Sequence, residues 1–361
     1  MSDSSSTTTA VIAAGVLETE PRGRTGWTRV LLSRSAVMIY ALVAVVVIAM
    51  ITIPRFASPV TTGFLLLDVI PILMIAMPMT LVIITGEIDL SVASIAGLTS
   101  AVIGVLWQAG LDIGVVLLIG LLVGAIAGAA NGVLIAVVGL PSLAVTIGTL
   151  ALFRGLALVV IGDGAVADFP AELTAFFTSK IGTTGIPTVM IGVLLVVLFF
   201  GVLLHLTPFG RGLPAIGFSK EAARFVGIKV ARAKFWLFVG TGSVSALAGI
   251  YWTLRYSSAR SDNASGLELA VIAAVLLGGV SIFGGRGSIP GVVAGVLLIG
   301  VINYGLRLGR VSEVVLIIVT GSLLIASVVA PSIGQAIGRW RHDRRLRRTL
   351  PRALRAGDER A

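Results

Sequence analysis

The sequence predicts an all-α, polytopic membrane protein with about ten transmembrane helices and both termini on the cytoplasmic side. About ten stretches of roughly 20 apolar residues, nearly free of charge, run from Ala36 to Ala330. Lys and Arg gather in every second gap between them. The composition agrees: 57% hydrophobic residues, 12% charged residues and a mean hydropathy of +1.06 lie far from the balance of soluble domains.

Residues 1–34 open with a Ser/Thr-rich run and continue through Pro21, Arg22, Gly23 and Arg24, a composition that buries no core and predicts a flexible segment. The first apolar run is longer than a signal-peptide core and no small-residue cleavage site follows it, so it is read as a true span. The membrane domain, 35–335, is divided into spans near 36–53, 64–85, 89–107, 113–138, 141–161, 186–206, 234–255, 267–283, 290–308 and 311–330. Gly, Ser and Asp interrupt the third and eighth, where broken or re-entrant helices are tolerated if protein or a wet cavity covers them. The 44 glycines fit lipid-embedded helices, which pack through small residues, and Gly120, Gly124 and Gly128 show that spacing. Phe and Leu at helical spacing are lipid-facing or packing surface.

Charge orients the chain. The gap 207–233 carries Arg211, Lys220, Arg224, Lys229 and Arg232 against Glu221, whereas 162–185 carries Asp163, Asp168 and Glu172 against Lys180. Basic gaps stay inside, so the first is cytoplasmic and the second external. Six spans precede the basic gap and four follow, which puts both termini inside. Nine arginines between Arg339 and Arg360, in the tail 336–361, agree; facing anionic membrane lipid, they account for much of the net charge of +10 without a nucleic-acid partner.

Two segments carry polar groups that need explaining. Thr85-Gly86-Glu87-Ile88-Asp89-Leu90-Ser91 puts two carboxylates at the cytoplasmic junction of the second and third spans, where each must be solvated, paired or capping. Asp89 or Ser91 accepting hydrogen bonds from the first turn of the next helix is the plain reading; a gate or a partner-facing turn at Gly86, Glu87, Asp89 and Ser91 is the functional one. In the basic gap, Gly217 to Gly227 reads as a short helix about 10 Å long, capped by Ser219 and ended by Gly227. Such a rod, with Phe225 and Val226 beside charged neighbours, suits a groove on a partner, or is an ordinary surface helix.

Inside the spans, Asn131, Arg154 and Asn303 are the candidates for a translocation path. The Asn amides either replace water on a polar solute or bond a neighbouring helix. Arg154, in the outer half of its span, either snorkels to the interface, the favoured reading, or keeps a cavity selective.

The chain lacks cysteine, and its two histidines, His205 and His342, form no metal site. No G-x-x-x-x-G-K-[ST] loop is present, so ATP chemistry belongs to another chain. Gly278, Gly279, Gly284 and Gly285 follow no strand and read as close helix packing rather than a dinucleotide loop. A lone His205 is weak material for an intramembrane hydrolase.

In order along residues 35–335, several stretches resemble the permeases of ribose-type ATP-binding-cassette importers. Met79 to Gly86 leading into Ile88-Asp89-Leu90-Ser91 is similar to the family's "MTLVILTGGIDLS", and Thr146-Ile147-Gly148-Thr149-Leu150 to Arg154-Gly155 resembles its "TLGTL…RG". Glu221-Ala222-Ala223-Arg224 with Gly227-Ile228 resembles the "EAARLSGI" coupling segment, and Ile272 to Ser288 resembles "IAAVVLGG…GGRGS". Glu87 stands where the family usually has glycine, and Ala93 where a second glycine is common.

The resemblance implies a non-catalytic translocation subunit of a prokaryotic plasma (inner) membrane importer, without cofactor or metal. It implies cytoplasmic ATPase subunits, a second permease subunit and an extracytoplasmic solute-binding protein as partners. It also gives ATPase coupling to Glu221, Ala222, Ala223, Arg224, Phe225 and Gly227, and a monosaccharide or sugar-like furanose (ribose, rhamnose or autoinducer-2 type) as cargo. The loop from Ser257 to Glu268 looks more like the rhamnose and autoinducer-2 branch. The rival is a proton- or sodium-coupled carrier, against which stands the placement of the acids in loops and at span ends, apart from Asp68.

Overall fold

The computed structural model describes residues 34–329, and the described chain is almost entirely helical. The basic tail and all of the N-terminal segment except Arg34 lie outside the described residues. Helix α1 is Arg34–Thr52 and α2 is Pro59–Ile84. Ser58 caps α2, its hydroxyl accepting from Thr61 N, and Pro59 takes the first helical position, where a missing N–H costs nothing. α2 is the axis of the bundle, buried on nearly every face from Leu67 to Ile84.

Helix α3 (Val92–Gln108) is followed by α4 (Ile113–Gly132), which loosens into a π turn at Val133–Val137. Asp112 caps α4 through Gly114 N and Val115 N, and α5 is Ser142–Ile161. β1 (Ala165–Val166) and the short α6 (Ala171–Thr178) come next. α7 (Met190–Leu206) then bends by 70° into α8 (Pro208–Phe218). α9 (Lys220–Phe225) leads to the long α10 (Val230–Tyr256), β2 (Ala259–Arg260), α11 (Leu267–Leu277), α12 (Ile289–Leu308) and α13 (Glu313–Val329). β1 and β2 pair antiparallel, Ala165 with Arg260 and Val166 with Ala259, so the loops after α5 and α10 lie at one end of the bundle.

Among the described residues, six helices are long and apolar enough to cross a membrane, or seven if the bent α7–α8 pair counts as one span. α3, α11 and α13 are apolar but shorter. Two sequence expectations change here. The stretch 267–283 is helical only to Leu277, because Gly279 takes a left-handed conformation (φ +90°) and turns the chain. The basic gap 207–233 is largely helical, in α8 and α9.

The expected small-residue packing joins α4 to α10. A Cβ on Gly128 would press on Phe238 O and Gly242 Cα, and one on Gly124 on Ala246 and Gly242 O. Gly278 likewise packs on Val292 of α12. Gly284 and Gly285 also pack closely, on Gly217 and Phe218 of α8, but in a turn rather than a helix: both have positive φ, and Gly285 N–H donates to Ile84 O (2.8 Å), satisfying an end carbonyl of α2. The outer flanks of α5 and α7, including Leu152, Val159, Leu194, Leu198 and Phe199, are exposed apolar surface of the kind lipid covers.

Candidate functional site at the basic end

The turn between α2 and α3 has no solvated carboxylates. Gly86 (φ +78°) lets the chain reverse, and Glu87, only 6% exposed, and Asp89, fully buried, both point into protein. Burying two acids is costly unless each is paired. Asp89 Oδ1 accepts from Ser91 N (3.0 Å) and Ser91 Oγ (2.6 Å), and its Oδ2 accepts from Thr241 Oγ1 of α10 (2.9 Å). Ser91 Oγ in turn accepts from Asn131 Nδ2 of α4 (2.8 Å). Asp89 thus ties the start of α3 to α4 and α10 and does not cap the first turn of α3, as the sequence suggested; Ser91, at the cap position, makes no side-chain cap bond either. Asn131 is absorbed in this network, its Oδ1 without a partner among the described residues.

Glu87 pairs with two lysines on one oxygen: Lys234 of α10, its side chain 8% exposed, and Lys220, the first residue of α9 (2.9 Å). Burial works against ionisation of Glu87, but hydrogen bonds from Lys234, Ser142 and Lys220 outweigh it and hold the carboxyl below the usual range. The same contact with Glu87 outweighs partial burial at Lys220 and keeps that ammonium above its ordinary value. Ser142 Oγ at the head of α5 accepts from Ile88 N (3.2 Å), and Thr146 Oγ1 donates to Ile88 O (3.3 Å). Glu87 and Lys234 border a cavity of about 360 Å³, whose walls include Lys220, Arg224 and Pro141.

Helix α9 forms as its local sequence dictates. Ser219 Oγ accepts from Ala222 N (3.2 Å), and Gly227 (φ +84°) ends the turn, with its N–H on Arg224 O and that of Ile228 on Ala223 O (both 3.0 Å). Ala223 packs inward, whereas Phe225 and Val226 stand 92% and 75% exposed at the tip. One short helix therefore presents an apolar pair outward and is pinned through Lys220 to the α2–α3 turn.

Gly86, Glu87, Asp89, Ser91 and Asn131 thus converge at this end beside α9. Arg154 and Asn303 lie elsewhere. Arg154 does not snorkel: its Nη1 donates to the Ser261 (2.6 Å) and Asn263 (3.0 Å) carbonyls, fastening α5 to the loop after β2. Gly97 leaves room for that guanidinium. Asn303 Nδ2 reaches Thr320 Oγ1 of α13 at 3.4 Å. Lys220, Lys234, Thr241 and Ser142 were not singled out in the sequence; Lys234, a cation at the very start of an apolar run, was the available signal.

A family model described as the permease component of branched-chain amino acid transport systems matches residues 61–328. The chain belongs to this permease family. The permease is 38% identical over 290 residues to the autoinducer 2 import system permease protein LsrD of Photorhabdus luminescens, covering 77% of this chain and 86% of that one. It is 38% identical over 272 residues to the LsrD of Salmonella typhi (74% and 81%) and 37% identical over 290 residues to that of Yersinia pseudotuberculosis (78% and 86%). No solved structure matches it. The family and the apolar helices make the permease a multi-pass inner-membrane protein.

Proposed function

We propose that this permease is the translocation subunit of an ATP-driven importer that moves a monosaccharide or sugar-like furanose of autoinducer-2, ribose or rhamnose type into the cell. ATP is hydrolysed on separate cytoplasmic subunits, a second permease completes the path, and an extracytoplasmic binding protein delivers the cargo. The observation that carries this reading is the likeness to autoinducer 2 import permeases over most of both chains. In this reading the basic end is cytoplasmic, the loops joined by β1 and β2 are external, both termini are cytoplasmic, and the shorter α3, α11 and α13 bring the spans to about ten.

The coupling element is α9. Phe225 and Val226 are the contact an ATPase groove would take, and Lys220–Glu87–Lys234 relays movement of α9 to the α2–α3 turn and α10. Glu221 to Arg224 form the body of that rod and Gly227 its end. The reading is tested by solubilising the permease from its native membrane in mild detergent and identifying the proteins that accompany it. A P-loop ATPase in the preparation supports it, and a preparation free of any ATPase contradicts it.

A further inference from the structure

At the end opposite α9, a second cavity of about 160 Å³ opens between α2, α10 and α12. It is smaller than the roughly 300–1,000 Å³ of pockets for drug-sized ligands and suits a single small solute. Its polar wall originates in Pro71. Proline lacks the N–H that would bond the carbonyl four residues earlier, so Leu67 O is free within α2. That carbonyl accepts from Tyr251 Oη (2.8 Å) and Arg255 Nη1 (2.7 Å), which fixes Arg255 against the next residue, Asp68. Asp68 pairs with Arg255 through Oδ1 and with Arg307 Nη1 through Oδ2 (2.9 Å).

The cluster keeps unused hydrogen-bonding capacity. Two guanidinium groups carry ten N–H donors by their chemistry, of which the bonds to Leu67 O and Asp68 occupy few, and the carboxylate has lone pairs to spare. Asp68 alone would leave one positive charge, but Glu313 stands 3.9 Å from Arg307 Nη2 and offsets it, so the wall offers paired donors and acceptors rather than a strong field for an ion. Asn303 adds an amide whose Oδ1 has no partner among the described residues and whose Nδ2 has only the long contact to Thr320. Trp252 and Tyr304 supply aromatic walls. Fixed donor–acceptor pairs beside aromatic rings match a solute with several hydroxyls on one side and C–H groups on the other.

We infer that this cavity is a low-affinity subsite for a neutral, polyhydroxylated monosaccharide arriving at the external end of the permease. Asp68, Arg255 and Arg307 hold its hydroxyls, Asn303 contributes a further hydrogen bond, and Trp252 packs on the ring. The inference rests on the importer reading for the direction of arrival, but binding is measurable without transport.

The full-length permease in nanodiscs is titrated with D-ribose and with L-rhamnose while tryptophan fluorescence is followed. A saturable change in the wild type, absent in Trp252→Phe and shifted about five- to tenfold to higher sugar in Asn303→Ala and Arg307→Ala, is the expected result, each shift corresponding to about one lost hydrogen bond. Arg307 is 53% exposed, so its removal leaves folding intact, and gel filtration verifies this for each variant. No saturable change with either sugar overturns the subsite, as does a change that all three variants retain unaltered. Absence of an accompanying ATPase would overturn the importer reading alone and leave this titration standing.

Discussion

Replacing Glu87 with glutamine removes the counter-ion that allows Lys234 to be buried. Stranding a buried ammonium costs about 3–5 kcal/mol when a pair is broken from one side. The pair with half-exposed Lys220 contributes less than about 1 kcal/mol. Two features lower the total: glutamine still accepts one hydrogen bond, and the cavity of about 360 Å³ admits water to Lys234. The net loss is then about 2–3 kcal/mol, which at roughly 2 °C per kcal/mol for a chain of this size lowers the melting midpoint by about 4–6 °C. The assay is thermal unfolding of the purified permease in mild detergent at neutral pH, for Glu87→Gln, Lys234→Met and the double variant. The double variant leaves neither charge unpaired, so its loss falls short of the sum of the single losses by at least about 1 kcal/mol. A Glu87→Gln midpoint within about 1 °C of wild type, or strict additivity, would refute the reasoning.

Phe225→Ala combined with Val226→Ala removes exposed apolar surface, so the melting midpoint stays within about 1 °C of wild type while ATPase co-purification falls severalfold; equal recovery of ATPase contradicts the docking role. Gly128→Ala presses a methyl group onto Phe238 O and lowers stability by about 1–3 kcal/mol, whereas Gly155→Ala, with open space at its Cβ, is neutral or stabilising; thermal unfolding distinguishes them. Because Glu87 is held below its ordinary value of about 4.3, its contribution is complete above that pH and is lost as pH falls through the lower folded value. The midpoint of the wild type therefore drops more between about pH 5 and pH 3 than that of Glu87→Gln, and parallel curves would argue against the depressed carboxyl.

What the sequence made legible was local or periodic. Ser219 and Gly227 bracket α9 because capping chemistry acts within a few residues, and Gly124 and Gly128 announce a close helix contact because small residues on one face leave room for little else. The partners of the buried acids were not legible in this way. Glu87 and Lys234 are separated by 147 positions, and only the folding of α10 across α2 and α3 brings them together. Arg154 misled for a related reason: a long arginine in the outer half of a span has an inexpensive route to the interface, and nothing local reveals that Ser261 and Asn263 offer it two carbonyls instead. In 267–283 the glycines mark a span open to a break, but hydropathy does not register that the break is a left-handed turn at Gly279. Glu87, where the related pattern has glycine, was with Ala93 one of two visible departures, and it lies at the centre of the ion pairs that link α9 to the bundle.

The central claim, that α9 couples ATP hydrolysis on a separate subunit to cargo arriving at the external face, is tested most directly in proteoliposomes that contain the complex recovered with the permease. ATPase activity is measured with and without its sugar-loaded binding protein, for wild type and for Phe225→Ala/Val226→Ala. The account predicts stimulation by the loaded binding protein in the wild type and its loss in the variant. Stimulation of equal size in both would contradict it.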